Sequence, residues 1–282
     1  MNGAPLPVER RGRGPAIMLL HGFTGRARGM DEIASALQHE YDVIAPDLPG
    51  HGRAAAVGQR AGHGFDDCID DLVATLLASG HQRAHWIGYS MGARLALGCA
   101  VRHPQRVASL ALIAARAGIE SAAEREARRR ADEALALRIE SAGLEEFVDA
   151  WMAQPIFATQ RRLGAPFLAQ QRAERMANDA AGLAAALRAL GPGAQPSFFD
   201  ELAGIAVPAL LVAGELDHVF VAAARDLARR MPHAQACEIA DAGHAVHLEQ
   251  PAAFVHAVQD FLRRAPAPAH DEYPIPVEET AT

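Results

Sequence analysis

A serine between two glycines is the first feature of this sequence that could do chemistry. The run Gly88-Tyr89-Ser90-Met91-Gly92 follows a short apolar stretch and opens a helical run from Met91 to Val101. This is the nucleophile-elbow pattern, in which a strained turn holds the serine hydroxyl clear of the sheet edge. Glycines two residues before and after the serine leave room for so tight a turn. The run therefore predicts a reactive hydroxyl at Ser90.

A serine hydroxyl needs an imidazole to take its proton and a carboxylate to orient that imidazole. Asp217 follows a predicted strand at residues 207–213, and His244 lies in the loop after the next predicted strand, at 235–239. Serine, acid and histidine in this chain order are typical of the triad of α/β hydrolases. The sequence thus predicts a catalytic triad of Ser90, Asp217 and His244. Three nearby residues compete for the roles of base and acid: His247, Glu215 and Asp241.

The loop His21-Gly22-Phe23-Thr24-Gly25 follows an apolar strand predicted at residues 16–20. Its glycines allow backbone amides to come close to a ligand. We expect an oxyanion hole made by the backbone amides of Phe23 and Met91, the alternative being an ordinary glycine-rich turn. His51, in the turn Pro46-Asp47-Leu48-Pro49-Gly50-His51-Gly52, is expected to stabilise that turn and not to catalyse.

Arg94 lies one helical turn after Ser90 and on the same helix face. A cation there suits an anionic substrate, and the helix N-terminus would add to its field. The alternative is a structural ion pair beneath the serine turn. The residue types alone leave both interpretations open.

Alternating strands and helices predict an α/β fold with a mostly parallel, doubly wound sheet. From residue 118 to 196 the strand pattern gives way to helical segments, which we interpret as a cap inserted after about the sixth strand. The predicted domains are a core of residues 1–117 and 197–264 and a cap of 118–196. Residues 265–282, rich in proline and acidic side chains, predict a disordered tail.

The composition excludes several classes of protein. The chain has 282 residues, half of them hydrophobic, and a net charge of −7, which argues against a nucleic-acid partner. Cys68, Cys99 and Cys237 lack metal-ligand spacing and suggest reduced thiols in a cytoplasmic protein. We find no signal peptide and no apolar run long enough for membrane insertion. We expect no metal or other cofactor, and a monomer or weak homo-oligomer.

Three motifs together resemble the 2-succinyl-6-hydroxy-2,4-cyclohexadiene-1-carboxylate synthase family of menaquinone biosynthesis. They are His21-Gly22-Phe23-Thr24-Gly25, Asp47-Leu48-Pro49-Gly50-His51-Gly52 and Gly88-Tyr89-Ser90-Met91-Gly92-Ala93-Arg94. The cap segments 125–132 and 149–157 are similar to that family as well. The resemblance implies an α/β-hydrolase fold and a carbon–oxygen lyase in which Ser90 acts as a base. The reaction implied is elimination of pyruvate from 2-succinyl-5-enolpyruvyl-6-hydroxy-3-cyclohexene-1-carboxylate, a small polycarboxylate. The residues implied to bind it are Tyr89, Arg94, Arg128, Trp151, Phe157 and Arg172.

Two other functions fit the same residues. A serine hydrolase of an ester, thioester or carbon–carbon bond in an acidic substrate would use the same triad, with Ser90 attacking carbon. A non-catalytic binding protein of the same fold would not need the triad at all.

Overall fold

The structure is a computed structural model that describes residues 3–266. The predicted tail therefore lies, from residue 267 onward, outside the described residues. Within the described range, no helix combines the length and apolar character needed to cross a bilayer.

One seven-stranded sheet, in the order β1-β3-β2-β4-β5-β6-β7, forms the centre of the described chain. All neighbouring strands are parallel except β1 and β3, which are antiparallel. The strands are β1 (Val8–Arg11), β2 (Ala16–Leu20), β3 (Asp42–Pro46), β4 (Ala84–Tyr89), β5 (Val107–Ile113), β6 (Ala209–Gly214) and β7 (Ala234–Ile239).

Helices cover both faces of the sheet, because the central strands are apolar on both sides. In β2, Met18 and Leu20 pack into one buried cluster, whereas Ile17 and Leu19 pack into another on the opposite face. The helices are α1 (Asp31–Leu37), α2 (Ala55–Gly58), α3 (Phe65–Ala78), α4 (Met91–Arg102), α5 (Ala122–Ala142), α6 (Leu144–Met152), α7 (Gly164–Met176), α8 (Ala180–Leu190), α9 (His218–Arg230), α10 (Val246–Glu249) and α11 (Pro251–Arg264).

Helices α5 to α8, which we call the cap helices, all lie between β5 and β6. The insertion thus follows the fifth strand of the described sheet, and the prediction of about the sixth is wrong. β1 was not predicted from the sequence, because Val-Glu-Arg-Arg is a polar edge strand without an apolar run. The cap helices share a small apolar cluster of their own, which includes Ile139, Val148 and Leu183.

The two chain segments that join the cap helices to the sheet run side by side. The Phe198 amide donates to the Ala117 carbonyl at 2.8 Å, and a Cβ on Gly118 would lie 2.6 Å from the Pro196 carbonyl oxygen. These contacts fall at the predicted domain boundaries of 118 and 196. The division into core and cap domains stays a prediction.

Candidate active site

Ser90 lies on a strained turn between β4 and α4. Its φ of 51° and ψ of −105° are unusual for a residue with a side chain. The turn needs both glycines, because a Cβ on Gly88 would lie 2.4 Å from the Gly92 carbonyl oxygen. A Cβ on Gly92 would come equally close to the Leu20 carbonyl oxygen. The strain holds the Ser90 hydroxyl at the carboxyl end of the sheet.

The structure brings Ser90, His244 and Asp217 together from three separate loops. His244 Nε2 lies 3.3 Å from Ser90 Oγ, and His244 Nδ1 lies 2.8 Å from Asp217 Oδ2. Because the carboxylate accepts the Nδ1 proton, Nε2 is left to accept a proton from the hydroxyl. Asp217 is also fixed as the N-cap residue of α9, where its other oxygen accepts from the Phe220 amide at 3.3 Å.

The three competing residues lie elsewhere. His247 is buried, its ring packs 4.5 Å from that of Tyr89, and burial lowers its pKa to about 3. Glu215 accepts the backbone amide of Asp241 at 3.1 Å. Only His244 and Asp217 complete a hydrogen-bonded chain with Ser90 in the described part of the protein.

The backbone amides of Phe23 and Met91 donate to no protein acceptor among residues 3–266. Both residues line the cavity that holds Ser90. Free amides beside a reactive hydroxyl can stabilise negative charge that develops on a bound oxygen.

Two buried histidines support the loop that carries Phe23. His21 Nε2 accepts from the Leu48 amide at 3.0 Å, and His51 Nε2 accepts from the Thr24 amide at 3.1 Å. Burial lowers the pKa of His21 to about 4 and that of His51 to about 3, so both rings are neutral acceptors at neutral pH. In the structure, His51 therefore holds the loop in place, as expected from its turn.

A cavity of about 720 Å³ opens between the cap helices and the sheet edge. Its wall includes Ser90 and His244, together with five of the six residues that the family resemblance implies to bind substrate: Tyr89, Arg94, Arg128, Trp151 and Phe157. Aromatic rings form a continuous apolar part of this wall. The Trp151 ring lies 5.2 Å from Phe23 and 5.8 Å from Phe157, which in turn lies 6.1 Å from His244.

Arg94 is a buried cation on this wall with no carboxylate at salt-bridge distance among the described residues. Its guanidinium donates to the Leu190 carbonyl at 2.8 Å and to Gln195 Oε1 at 3.3 Å. Burial, reinforced by the positive charge of Arg128, lowers its pKa to about 10. The alternative of a structural ion pair is therefore not what the structure contains.

The other two predicted arginines differ in their surroundings. Arg128 lines the cavity and pairs with Asp132 at 2.7 Å. Arg172 does not reach the cavity wall: it lies on the cap surface, paired with Asp149 at 2.6 Å and Glu145 at 2.7 Å. The structure thus corrects the placement of Arg172, whose charge is already neutralised by carboxylates.

Arg175, one helical turn further along α7, points inward instead. It is buried, and its guanidinium lies 5.9 Å from the centre of the Phe157 ring. The sequence does not indicate which of Arg172 and Arg175 is buried, because the weakly amphipathic helix does not show which face is inside.

Polar contacts join the cap segments to the loops that carry Phe23 and His244. Asn178 donates to the Thr24 carbonyl at 2.9 Å and accepts from the Gly52 amide at 3.0 Å. On the other side, the buried Glu249 accepts from the Gly243 amide at 3.0 Å and pairs with Arg162 of the cap segment at 3.1 Å. No motif in the sequence indicated these contacts.

The fold and this arrangement of serine, acid and histidine define a class of protein. Residues 15–251 match the family described as alpha/beta hydrolase fold, and the chain belongs to that family.

Within this class, the chain belongs with the 2-succinyl-6-hydroxy-2,4-cyclohexadiene-1-carboxylate synthases. The synthase of Enterobacter sp. (strain 638) is 33% identical over 88% of this chain and 92% of its own length. A Bacillus subtilis (strain 168) protein that carries the same name provisionally is 34% identical over 88% of this chain and 90% of its own. The solved structure of MenH from S. aureus has a TM-score of 0.85 and 30% identity, covering 91% of this chain and 97% of that one.

Proposed function

We propose that this protein is a carbon–oxygen lyase that eliminates pyruvate from 2-succinyl-5-enolpyruvyl-6-hydroxy-3-cyclohexene-1-carboxylate. One observation carries the proposal: a buried arginine without a carboxylate partner, Arg94, shares a cavity wall with Ser90. A buried cation is stabilised by an anion, so the cavity suits a carboxylate-bearing substrate. The names of the relatives agree with this chemistry.

Binding rests on the cations and rings of the cavity. Arg94 and Arg128 would hold substrate carboxylates, and charge-assisted hydrogen bonds of this kind contribute roughly 1.5–3 kcal/mol each. Tyr89, Trp151 and Phe157 would pack against the cyclohexene ring. Arg172 has no part in this proposal, because it does not reach the cavity wall; Arg175 is also outside that wall, and would act on the site only through Phe157, whose ring it covers.

In the proposed reaction Ser90 removes a ring proton next to the succinyl carbonyl while His244 takes the proton of the serine hydroxyl. The electron pair of the broken C–H bond moves toward the carbonyl oxygen, where the amides of Phe23 and Met91 would stabilise the negative charge. That pair then shifts through the ring and breaks the bond to the enolpyruvyl oxygen. The leaving enolate takes up a proton, which His244 supplies, and pyruvate results.

The decisive experiment is turnover of the authentic substrate. The purified protein should release one pyruvate for each cyclohexadiene formed, and Ser90→Ala should lower the rate by at least 100-fold, as loss of a positioned proton acceptor does. No pyruvate from the intact wild-type protein would overturn the proposal. Full activity in Ser90→Ala would show that Ser90 is not the base.

A serine hydrolase remains the second candidate, because His244 Nε2 lies within reach of the Ser90 hydroxyl, as a nucleophilic serine requires. The similar thermophilic esterase from Thermogutta terrifontis, solved with malate bound, has a TM-score of 0.78 and 26% identity. A hydrolase would give a burst of product from activated esters and a trapped acyl group on Ser90. The lyase should form no such adduct with its own substrate.

We further propose a cytoplasmic location and a monomer or weak homo-oligomer, with no nucleic-acid partner. A small substrate and a negatively charged chain support this view. Sedimentation of the purified protein, with and without nucleic acid, tests the oligomeric state and the absence of a nucleic-acid partner, and fractionation of the source cells tests the location.

A further inference from the structure

A third cavity arginine lies outside the motifs discussed so far. Arg116 follows β5, lines the same cavity as Ser90 and Arg94, and is exposed where Arg94 is buried. No carboxylate lies within salt-bridge distance of its side chain in the described chain, whereas Arg172 is paired twice. Its charge is therefore available to an anion in the cavity.

The position of Arg116 is fixed by its neighbours. Its guanidinium lies 5.2 Å from the centre of the Phe220 ring, and that ring packs 4.7 Å from the ring of His244. The backbone is held too, because Gln195 donates to the Arg116 carbonyl at 3.2 Å while its amide oxygen accepts from Arg94. The same glutamine thus ties together the two cavity cations that lack a carboxylate partner.

Arg116 belongs to the open end of the cavity. The most exposed apolar residues of the cavity wall are Ile156, Leu216 and Val219, at 37%, 42% and 57% exposure, and Arg94 at 9% marks the closed end. Among these apolar side chains, Arg116 is the cation that a group at the opening would meet. A fragment that leaves during the reaction would pass these exposed side chains on its way to solvent.

We propose that Arg116 binds the carboxylate of the departing pyruvyl group. This inference rests on the proposed function, and it assigns the deeper arginines, Arg94 and Arg128, to carboxylates that stay with the ring. Arg116 would then fix the leaving group near His244 and also bind free pyruvate before release.

Product inhibition tests the assignment. Initial rates are followed by the absorbance of the conjugated cyclohexadiene product, so that pyruvate itself can be added. In Arg116→Gln we expect KM to rise and pyruvate inhibition to weaken, each about tenfold, as loss of one charge-assisted contact predicts. Inhibition by the cyclohexadiene product should not change, and Arg116→Lys should recover part of both effects.

The control variant is Arg130→Gln, which removes one exposed arginine from α5 away from the cavity wall. If Arg116→Gln gives the same KM and pyruvate inhibition as this control, the inference is wrong. A fall in kcat with unchanged pyruvate inhibition would also overturn it, because Arg116 would then act through Phe220 on His244. A wild-type protein that releases no pyruvate refutes the proposed function instead.

Discussion

Replacing Arg94 with methionine should separate activity from stability. The substitution keeps the apolar stem but removes the charge, the donors and the proposed contact with a substrate carboxylate. The guanidinium donates only to carbonyl oxygens among the described residues, which indicates that its charge is held for a ligand. Activity should therefore fall steeply while the protein still folds.

The expected change in stability follows from two opposing effects. Burial, together with the positive charge of Arg128, lowers the pKa of Arg94 to about 10, which amounts to about 3 kcal/mol of penalty for holding the charge there. Methionine removes that penalty but leaves two acceptors, Leu190 O and Gln195 Oε1, without a donor, at about 1–3 kcal/mol each. The two acceptors together cost about 2–6 kcal/mol against this gain of about 3, so the unfolding free energy should rise by at most about 1 kcal/mol and fall by at most about 3 kcal/mol.

The loss of catalytic efficiency, by contrast, is not offset by any opposing contribution. Losing one charge-assisted contact with a carboxylate should lower kcat/KM by roughly 10- to 150-fold. Urea denaturation measures the stability, and cyclohexadiene absorbance measures the rate. Arg102→Met, a charge removal on the exposed end of the same helix, is the matched control for both.

The opposite pattern would refute this reasoning. Removing one partner of a buried ion pair lowers stability by about 3–5 kcal/mol. If Arg94→Met loses that much and the folded fraction keeps the kcat/KM of Arg102→Met, then Arg94 supports the fold and binds no substrate.

Three further predictions concern the loops and the cap surface. The pKa of His51 is about 3 in the folded protein and near 6.5 when unfolded, so the unfolded chain binds more protons between these values. His51 should accordingly lower the unfolding free energy by about 1.4 kcal/mol for each unit that the pH drops below 6.5. Urea titrations at pH 7 and pH 5 should therefore show a smaller loss of unfolding free energy in His51→Asn than in the wild type. Asn178→Ala should lower the unfolding free energy by about 1–3 kcal/mol, because the Thr24 carbonyl loses its donor and the Gly52 amide its acceptor; an unchanged urea midpoint would contradict this. Arg172→Gln should leave kcat/KM within about twofold of wild type and the urea midpoint nearly unchanged, since its exposed ion pairs contribute little; a tenfold loss of kcat/KM would place Arg172 in the substrate site.

The sequence predicted the elements whose residue types have few structural alternatives. Gly88 and Gly92 could be located because only glycine fits so near the neighbouring carbonyl groups. Asp217 and His244 followed from the order of strands and loops, since parallel strands bring their carboxyl ends to one edge. In both cases local sterics and topology were enough.

The positions that could not be predicted depend on packing between distant segments. Whether Arg172 or Arg175 faces inward is decided by how α7 is rotated against the rest of the cap, and both sit in one polar run. Arg116 carries no motif and gains its position from Phe220 and Gln195, which lie 104 and 79 residues further along the chain. No local pattern records such contacts.

The chain segments at Ala117 and Phe198 lie side by side, so the insert of cap helices between them could be replaced as a unit. The segments that lead into and out of the cap helices are hydrogen-bonded to each other. A helical insert of another length or sequence could therefore connect β5 to β6 without separating these two strands. Ser90, Asp217 and His244 all lie outside that insert, whereas Arg128, Trp151 and Phe157 lie within it. Replacing the insert can therefore change part of the ligand-binding surface in evolution while the triad, Tyr89 and Arg94 stay in place.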